Sequence, residues 1–184
     1  EKDFHNKLQS QKKGRFENIF YKALYNISED FFDYLKNNAN NAEILDYGCG
    51  VGSFVEEVSK FGPKKIVGID ISEVSINKAV ERTKELKTNV DFIVDNCEKT
   101  KFDNNSFDVV YGSGILHHLQ INKCLDEIHR VLKPNGSLVF IEPLGTNPII
   151  NFYRKLTPKS RSKDEHPLID KDFKYIKSKF TNTE

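Results

Sequence analysis

Residues 44–52 read Ile44-Leu45-Asp46-Tyr47-Gly48-Cys49-Gly50-Val51-Gly52, a short apolar run that ends in three alternating glycines. Glycine belongs where a backbone must turn sharply and approach a ligand with no Cβ in the way. A helix starting at Ser53 would aim its unpaired N–H groups and partial positive charge at the same spot, a setting for an anionic group. Asp70, in Gly68-Ile69-Asp70-Ile71, follows at about the 20-residue separation at which an acid reaches a ribose in dinucleotide folds. Asp95 closes a third apolar stretch. The spacing departs from the dinucleotide fingerprint G-x-G-x-x-G: Gly52 comes one position early, and Ser53 stands where the third glycine belongs. An isolated G-x-G-x-G can be a turn and nothing more. Asp46, Asp70 and Asp95 at successive strand ends are what lift this one to a candidate site.

A second reactive stretch is Tyr111-Gly112-Ser113-Gly114-Ile115-Leu116-His117-His118-Leu119. Histidine titrates near neutral pH, so His117 and His118 are candidates for a general base or for orienting an acceptor. The competing reading is a packed loop histidine that satisfies a carbonyl, and both readings stand. Neither H-x-x-x-H nor H-E-x-x-H spacing occurs, so metal ligation is not expected. Cys49, Cys97 and Cys124 are far apart and form no C-x-x-C pair, which argues against a disulfide scaffold or zinc module. Cys49 and Cys97 read as small apolar residues, not nucleophiles.

These residues need elements to hold them. Alternating apolar strands and amphipathic helices run through the middle of the chain. Strands are expected at 43–47, 65–71, 90–95, 107–111 and 137–142. Helices are expected at 53–60, 72–87 and 121–132, with Ile76, Ala79, Val80, Thr83 and Leu86 inward on the second and Cys124, Leu125, Ile128, Val131 and Leu132 on the third. Lys133-Pro134-Asn135-Gly136 reads as a turn. Such alternation implies right-handed βαβ crossovers: an α/β, doubly wound, mainly parallel sheet with helices on both faces. In an open sheet of this kind the acids line the carboxyl edge, where ligands bind. Around this core (42–142) lie a polar lead-in (1–15), N-terminal helices (16–41) and a tail (143–184). Helical spacing begins at Phe16, and Ser28 caps a helix carrying Phe31, Phe32 and Leu35. The tail is expected to form helices near 147–156 and 170–180.

Length and charge bound the rest. The chain has 184 residues, a single domain's worth, and 28 Lys+Arg against 27 Asp+Glu. A net charge of +1 argues against a nucleic-acid partner. No apolar run approaches the ~20 residues of a membrane span, and no signal pattern opens the chain, so a cytoplasmic protein without membrane partners is expected. Methionine is absent, so residue 1 does not read as a natural start.

The strings I-L-D-Y-G-C-G-V-G, V-G-I-D-I-S, F-D-V-V-Y-G-S-G-I-L-H-H-L and V-L-K-P-N-G-S-L-V-F-I-E-P resemble, in order and spacing, the successive motifs of class I S-adenosylmethionine-dependent methyltransferases of bacterial small-molecule type. The resemblance covers about residues 16–150. It implies a Rossmann-like sheet of order 3-2-1-4-5 and S-adenosylmethionine as cofactor, with S-adenosylhomocysteine as product. Gly48, Cys49, Gly50 and Gly52 would cradle the methionine part, and Asp46 would hold its amino group. Asp70 would take the ribose hydroxyls, with Ile71 against the adenine. Asp95 would accept from the adenine amine, with Asn96 and Cys97 at the ring edge; the family commonly has a residue such as Ala at 97, so Cys is a mild departure. Ser113 would contact the cofactor amino group. The N-terminal helices carrying Phe20, Tyr21 and Tyr25 would close over the cofactor.

The acceptor would be a small molecule methylated on O or N. Tyr153, Arg154, Arg161 and His166 would bind it from an insertion after strand five. Those arginines suit a phosphate or carboxylate, though a solvated basic helix explains them equally. The family's final antiparallel hairpin should begin near Phe180, so the chain reads as stopping short of it. The alternatives are a non-catalytic S-adenosylmethionine-binding module and an RNA or protein methyltransferase. Oligomeric state is not legible.

Overall fold

The computed structural model describes residues 29–145 and 166–180. Helical residues 29–38 (α1) precede β1 (Glu43–Tyr47), α2 (Val55–Val58) with a 3₁₀ turn at Ser59–Phe61, and β2 (Lys65–Asp70). Then come α3 (Glu73–Thr83), β3 (Val90–Val94), β4 (Phe107–Ser113), a 3₁₀ turn at Leu116–His118, α4 (Ile121–Val131), β5 (Leu132–Ile141) and α5 (Asp170–Lys179). The helices expected from Phe16 and over 147–156 lie outside the described residues. No helix among the described residues is long and apolar enough to cross a membrane.

The strands form one sheet in the order β3-β2-β1-β4-β5, and every pairing is parallel. A parallel sheet must be covered on both faces, and period-two alternation supplies both. Leu45, Tyr47, Val67, Ile69 and Val110 pack with Ile121, Cys124, Leu125, Ile128 and Val131 of α4. Ile44, Ile66, Val109 and Tyr111 pack on the other face with Phe31 and Leu35 of α1 and Val55 and Val58 of α2. The chain builds outward from β1 through β2 to β3, then returns to place β4 on the other side of β1. The strand order therefore reverses between β1 and β4, and in open sheets of this kind the ligand crevice lies outside the carboxyl ends of the strands at that point.

The amino edge is tied by charge. Lys133 Nζ lies 2.8 Å from Glu43 Oε2 and 2.9 Å from Asp108 Oδ2, while Lys64 reaches Glu43 Oε1 at 2.9 Å. Lys133, then Lys64, hold the Glu43 carboxyl down at about 2.

Several boundaries differ from the sequence expectation. The helix expected over 53–60 shrinks to a four-residue α2 with no side-chain cap, followed by the 3₁₀ turn that Gly62 ends at φ 75°. The helix expected over 72–87 ends at Thr83; Ser72 caps it by accepting from Ser75 N at 3.2 Å. Ile76, Ala79 and Thr83 are buried as expected, but Val80 is 50 % exposed, because it sits on the flank of that stripe. β4 runs on to Ser113, since Gly112 and Ser113 pair with Phe140 and Ile141. β5 begins at Leu132, before the expected turn. Its pairing jumps from Phe107↔Leu132 to Val109↔Ser137, so 133–136 bulge out with Asn135 at φ 64°. On α4, Glu127 is buried beside the apolar stripe. Its carboxylate accepts from Thr100 N at 2.8 Å and pairs with Arg130. Burial opposes the Glu127 charge, but hydrogen bonds from Arg130 and Thr100 outweigh it and hold the carboxyl below its usual range.

Ile128 is fully buried and Val80 half-exposed, and this contrast is testable. Ile128→Ala should cost about 2–5 kcal/mol in urea unfolding. Val80→Ala should stay within roughly 0.5 kcal/mol.

Candidate active site

The crevice between β1 and β4 is lined by the loops that follow them. After β1, Gly48, Gly50 and Gly52 all take left-handed backbone, with φ 75°, 52° and 68°. At Gly48 a Cβ would lie 2.4 Å from Ile115 Cγ1, so the loop after β1 packs directly on the loop after β4 and only glycine fits. At Gly50 a Cβ would meet nothing within 4 Å, so this side of the loop is open to an incoming group. The expected helix-dipole contribution is corrected. α2 is one turn long and starts at Val55, not at Ser53, so the loop amides and nearby acids make the site rather than a helix N-terminus.

Asp70 ends β2. Its Oδ2 accepts from Gly50 N at 3.0 Å and its Oδ1 from Ser72 N at 2.8 Å. A carboxylate has about four acceptor sites, so these two bonds leave capacity for hydroxyl donors. Ile71 beside it is 76 % exposed, an apolar side chain held at the edge. Asp95, just past β3, is buried; its Oδ1 accepts from Asn96 N at 2.9 Å and its Oδ2 from Lys101 N at 3.0 Å. Asn96 is exposed and its Oδ1 accepts from Glu98 N at 2.8 Å. Cys97 is buried, its carbonyl receives the Tyr47 hydroxyl, and burial pushes its thiol up to about 12. Burial also raises the Cys49 thiol.

Asp46 differs from the other acids. It is buried, and its Oδ2 has no hydrogen-bond partner; the hydroxyl of Tyr111, its register partner on β4, is equally buried and unpartnered. Burial pushes the Asp46 carboxyl up to about 7; the nearby Tyr111 hydroxyl opposes this and the Asp70 charge adds to it. Leaving such groups unpaired costs roughly 1–3 kcal/mol each, which a ligand donor at this point would recover.

After β4, Ser113 is half-buried at the strand end and Gly114 turns at φ 67°. His117 is buried with Nδ1 2.7 Å from Glu142 Oε2, whereas His118 is exposed, its ring centroid 4.0 Å from that of His117. Glu142 Oε1 accepts from both Ile115 N and Leu116 N at 2.8 Å. Glu142 was not legible as a site residue. The available signal was its place as one more acid at a strand's carboxyl end. His166 is exposed and its backbone N donates to His117 O at 2.8 Å. Gly145 N donates to Leu168 O and Leu168 N to Pro143 O, so 143–145 and 166–168 are pinned together at this edge. Tyr153, Arg154 and Arg161 lie outside the described residues. Among the described residues, no group of three or more His, Cys, Asp or Glu side chains could hold a metal ion.

A separate open groove of about 370 Å³ lies at the amino edge, lined by Lys65, Ile93, Phe102, Asn105 and Phe107 among others. It has no glycine turn and lies at the opposite end of the strands. The carboxyl-edge crevice is the better site because convergent polar groups, not volume, fix a ligand.

The family model described as a methyltransferase domain matches residues 45–140. The demethylmenaquinone methyltransferase of Lactococcus lactis is 37 % identical over 116 residues, which is 61 % of this chain and 45 % of that protein. Phosphoethanolamine N-methyltransferase 3 of Arabidopsis thaliana is 29 % identical over 134 residues, 70 % of this chain and 27 % of that protein. The chain thus spans less than half the length of these relatives. Among solved structures, a SAM-dependent methyltransferase from Methanosarcina mazei superposes with TM-score 0.64 at 26 % identity, covering 77 % of this chain and 80 % of that one.

The buried Asp46 carboxyl sets a pH dependence. Its folded pKa, about 7, is raised above the ordinary 3.8. The folded state therefore binds the extra proton between these values. The stabilisation is complete below about pH 4 and is lost as pH rises through about 7. Urea unfolding should show a loss on the order of 2 kcal/mol between pH 5 and pH 8, and Asp46→Asn should remove most of that slope.

Proposed function

We propose that this chain, which belongs to the methyltransferase-domain family, transfers a methyl group from S-adenosylmethionine to an oxygen or nitrogen of a small anionic acceptor. The observation that carries the cofactor reading is the orphaned Asp46 Oδ2, buried beside a glycine turn at the point where strand order reverses. A buried acceptor without a donor suits an ammonium, which the methionine part of the cofactor carries. Asp70 has lone pairs left for ribose hydroxyls, and exposed Ile71 offers an apolar face for adenine. Asp95, Asn96 and Cys97 would edge the ring, with Asp95 reaching the adenine amine through lone pairs its two loop amides leave open. Gly48, Cys49, Gly50, Gly52 and Ser113 would line the methionine side.

When bound, S-adenosylmethionine supplies a methyl on a positively charged sulfur; the acceptor's lone pair takes the carbon and the sulfur keeps the bonding pair. The protein's part is to align the partners, which can supply roughly 7–11 kcal/mol, and to receive the acceptor's proton where one is lost. His117, beside the crevice, would take that second task.

The anionic acceptor is supported by two things. One relative is named for phosphoethanolamine. The tail from 143 onward carries nine Lys/Arg against five Asp/Glu, with Tyr153, Arg154, Arg161 and His166 as the proposed contacts.

Two measurements test this reading. Calorimetry should show S-adenosylhomocysteine binding in preference to NAD, with affinity rising about tenfold from pH 6 to pH 8 as Asp46 ionises, and Asp46→Asn should lose that dependence. Methyl-labelled S-adenosylmethionine should pass label to small phosphorylated amines or hydroxyls rather than to RNA or protein. Arg154→Ala with Arg161→Ala should then raise acceptor KM and leave cofactor affinity nearly intact. Tighter binding of NAD, or label found only in RNA or protein, would overturn the reading.

A further inference from the structure

We propose that Glu142 is a positioning residue that fixes which ring nitrogen of His117 carries its proton. Glu142 closes β5, and its side chain is only 2 % exposed. Both of its oxygens are committed to the loop after β4. Oε1 accepts two backbone N–H groups, from Ile115 and Leu116, and so holds the start of the 3₁₀ turn that carries the histidines. Oε2 lies 2.7 Å from His117 Nδ1. A carboxylate only accepts hydrogen bonds, so the contact at Oε2 requires a proton on Nδ1. In a neutral imidazole the other nitrogen is then bare.

Nε2 is thereby left as an acceptor. The backbone around it is also held: Gly114 N donates to Ile141 O at 2.8 Å, and His166 N donates to His117 O at 2.8 Å. One buried carboxylate thus sets the loop's shape and the ring's tautomer together. A bare Nε2 on a fixed ring can take a proton from a hydroxyl or an ammonium; an Nε2 that already carries its proton cannot. Resting on the methyl-transfer reading, this narrows the acceptor to one that must lose a proton, rather than a group already ionised in solution. His118 is exposed, its ring tilted against that of His117.

Glu142→Gln separates the two roles of the carboxylate. The glutamine oxygen can still accept from Ile115 and Leu116, but its NH₂ then faces Nδ1 as a donor and drives the His117 proton to Nε2. The readout is two-bond ¹H–¹⁵N NMR of His117 in the full chain with S-adenosylhomocysteine bound, at a pH where the ring carries one proton. The wild type should show the Nδ1–H pattern and Glu142→Gln the Nε2–H pattern, with S-adenosylhomocysteine affinity within about threefold. A wild-type ring protonated on Nε2 overturns the proposal, and that result needs no variant to fold. A Gln variant that folds but keeps the Nδ1–H pattern overturns it as well. With an acceptor in hand, Glu142→Gln should lower kcat at least about 100-fold with little change in cofactor affinity. A flipped tautomer with full kcat would remove the proton-taking role of His117. If no acceptor is methylated by the wild type, the methyl-transfer reading fails, while the tautomer result still judges Glu142 by itself.

Discussion

A carboxylate at the end of a strand, collecting the backbone amides of a neighbouring loop, is the interaction on which this site depends. Asp70 ties Gly50 and Ser72, Asp95 ties Asn96 and Lys101, and Glu142 ties Ile115 and Leu116. Hydrogen bonds to a charged acceptor contribute roughly 1.5–3 kcal/mol each, against a cost of about 1–2 kcal/mol for fixing each loop residue's backbone. Loops that would otherwise fray are therefore held at the carboxyl edge in one shape. Asp46 breaks the pattern: it is buried like Asp95 and Glu142, yet one of its oxygens has no partner. Three acids each bind two loop amides, and the fourth holds an oxygen that no group of the described residues meets.

The sheet decides where these carboxylates meet. Both faces of β1 are buried, so its neighbours must be strands with apolar residues on both faces, and β2 and β4 meet that requirement. Parallel pairing sends every strand's carboxyl end to the same edge. The order reverses between β1 and β4, the point at which open sheets of this kind take their ligands, and Gly48 against Ile115 holds the two loops in contact. The amino edge is built on the opposite plan, with Lys133, Lys64, Glu43 and Asp108 paired among themselves.

Much of this was legible in the order of residues. The five strands, the glycine turn, the strand-end acids and the parallel sheet follow from local pattern and from the rules of βαβ units, and the strand order from the family resemblance. What escaped depends on contacts between residues far apart. The hydrogen bonds of Glu142 span 25 to 27 positions, and no local period announces them. The same holds for Glu127, whose charge is tolerated on a buried helix face only because Thr100 and Arg130 meet it there. Hydrophobicity alone puts Val80 inside, but the covered stripe of α3, Ile76, Ala79 and Thr83, is narrower than its apolar pattern. The turn at 133–136 was recognised as a turn, but its being a bulge within one continuous strand follows from pairing with β4, not from Pro134 or Gly136.

The central claim is that the carboxyl edge of the sheet, at the reversal between β1 and β4, binds S-adenosylmethionine. It is tested most directly by titrating the ¹⁵N-labelled chain with S-adenosylhomocysteine and following the backbone amides. The expected result is saturable shifts at 46–52, 70–72, 95–97 and 113–117, with Glu43, Lys65 and Phe107 at the amino edge unmoved. Shifts confined to the amino-edge groove, or no saturable shift at millimolar ligand, would contradict it.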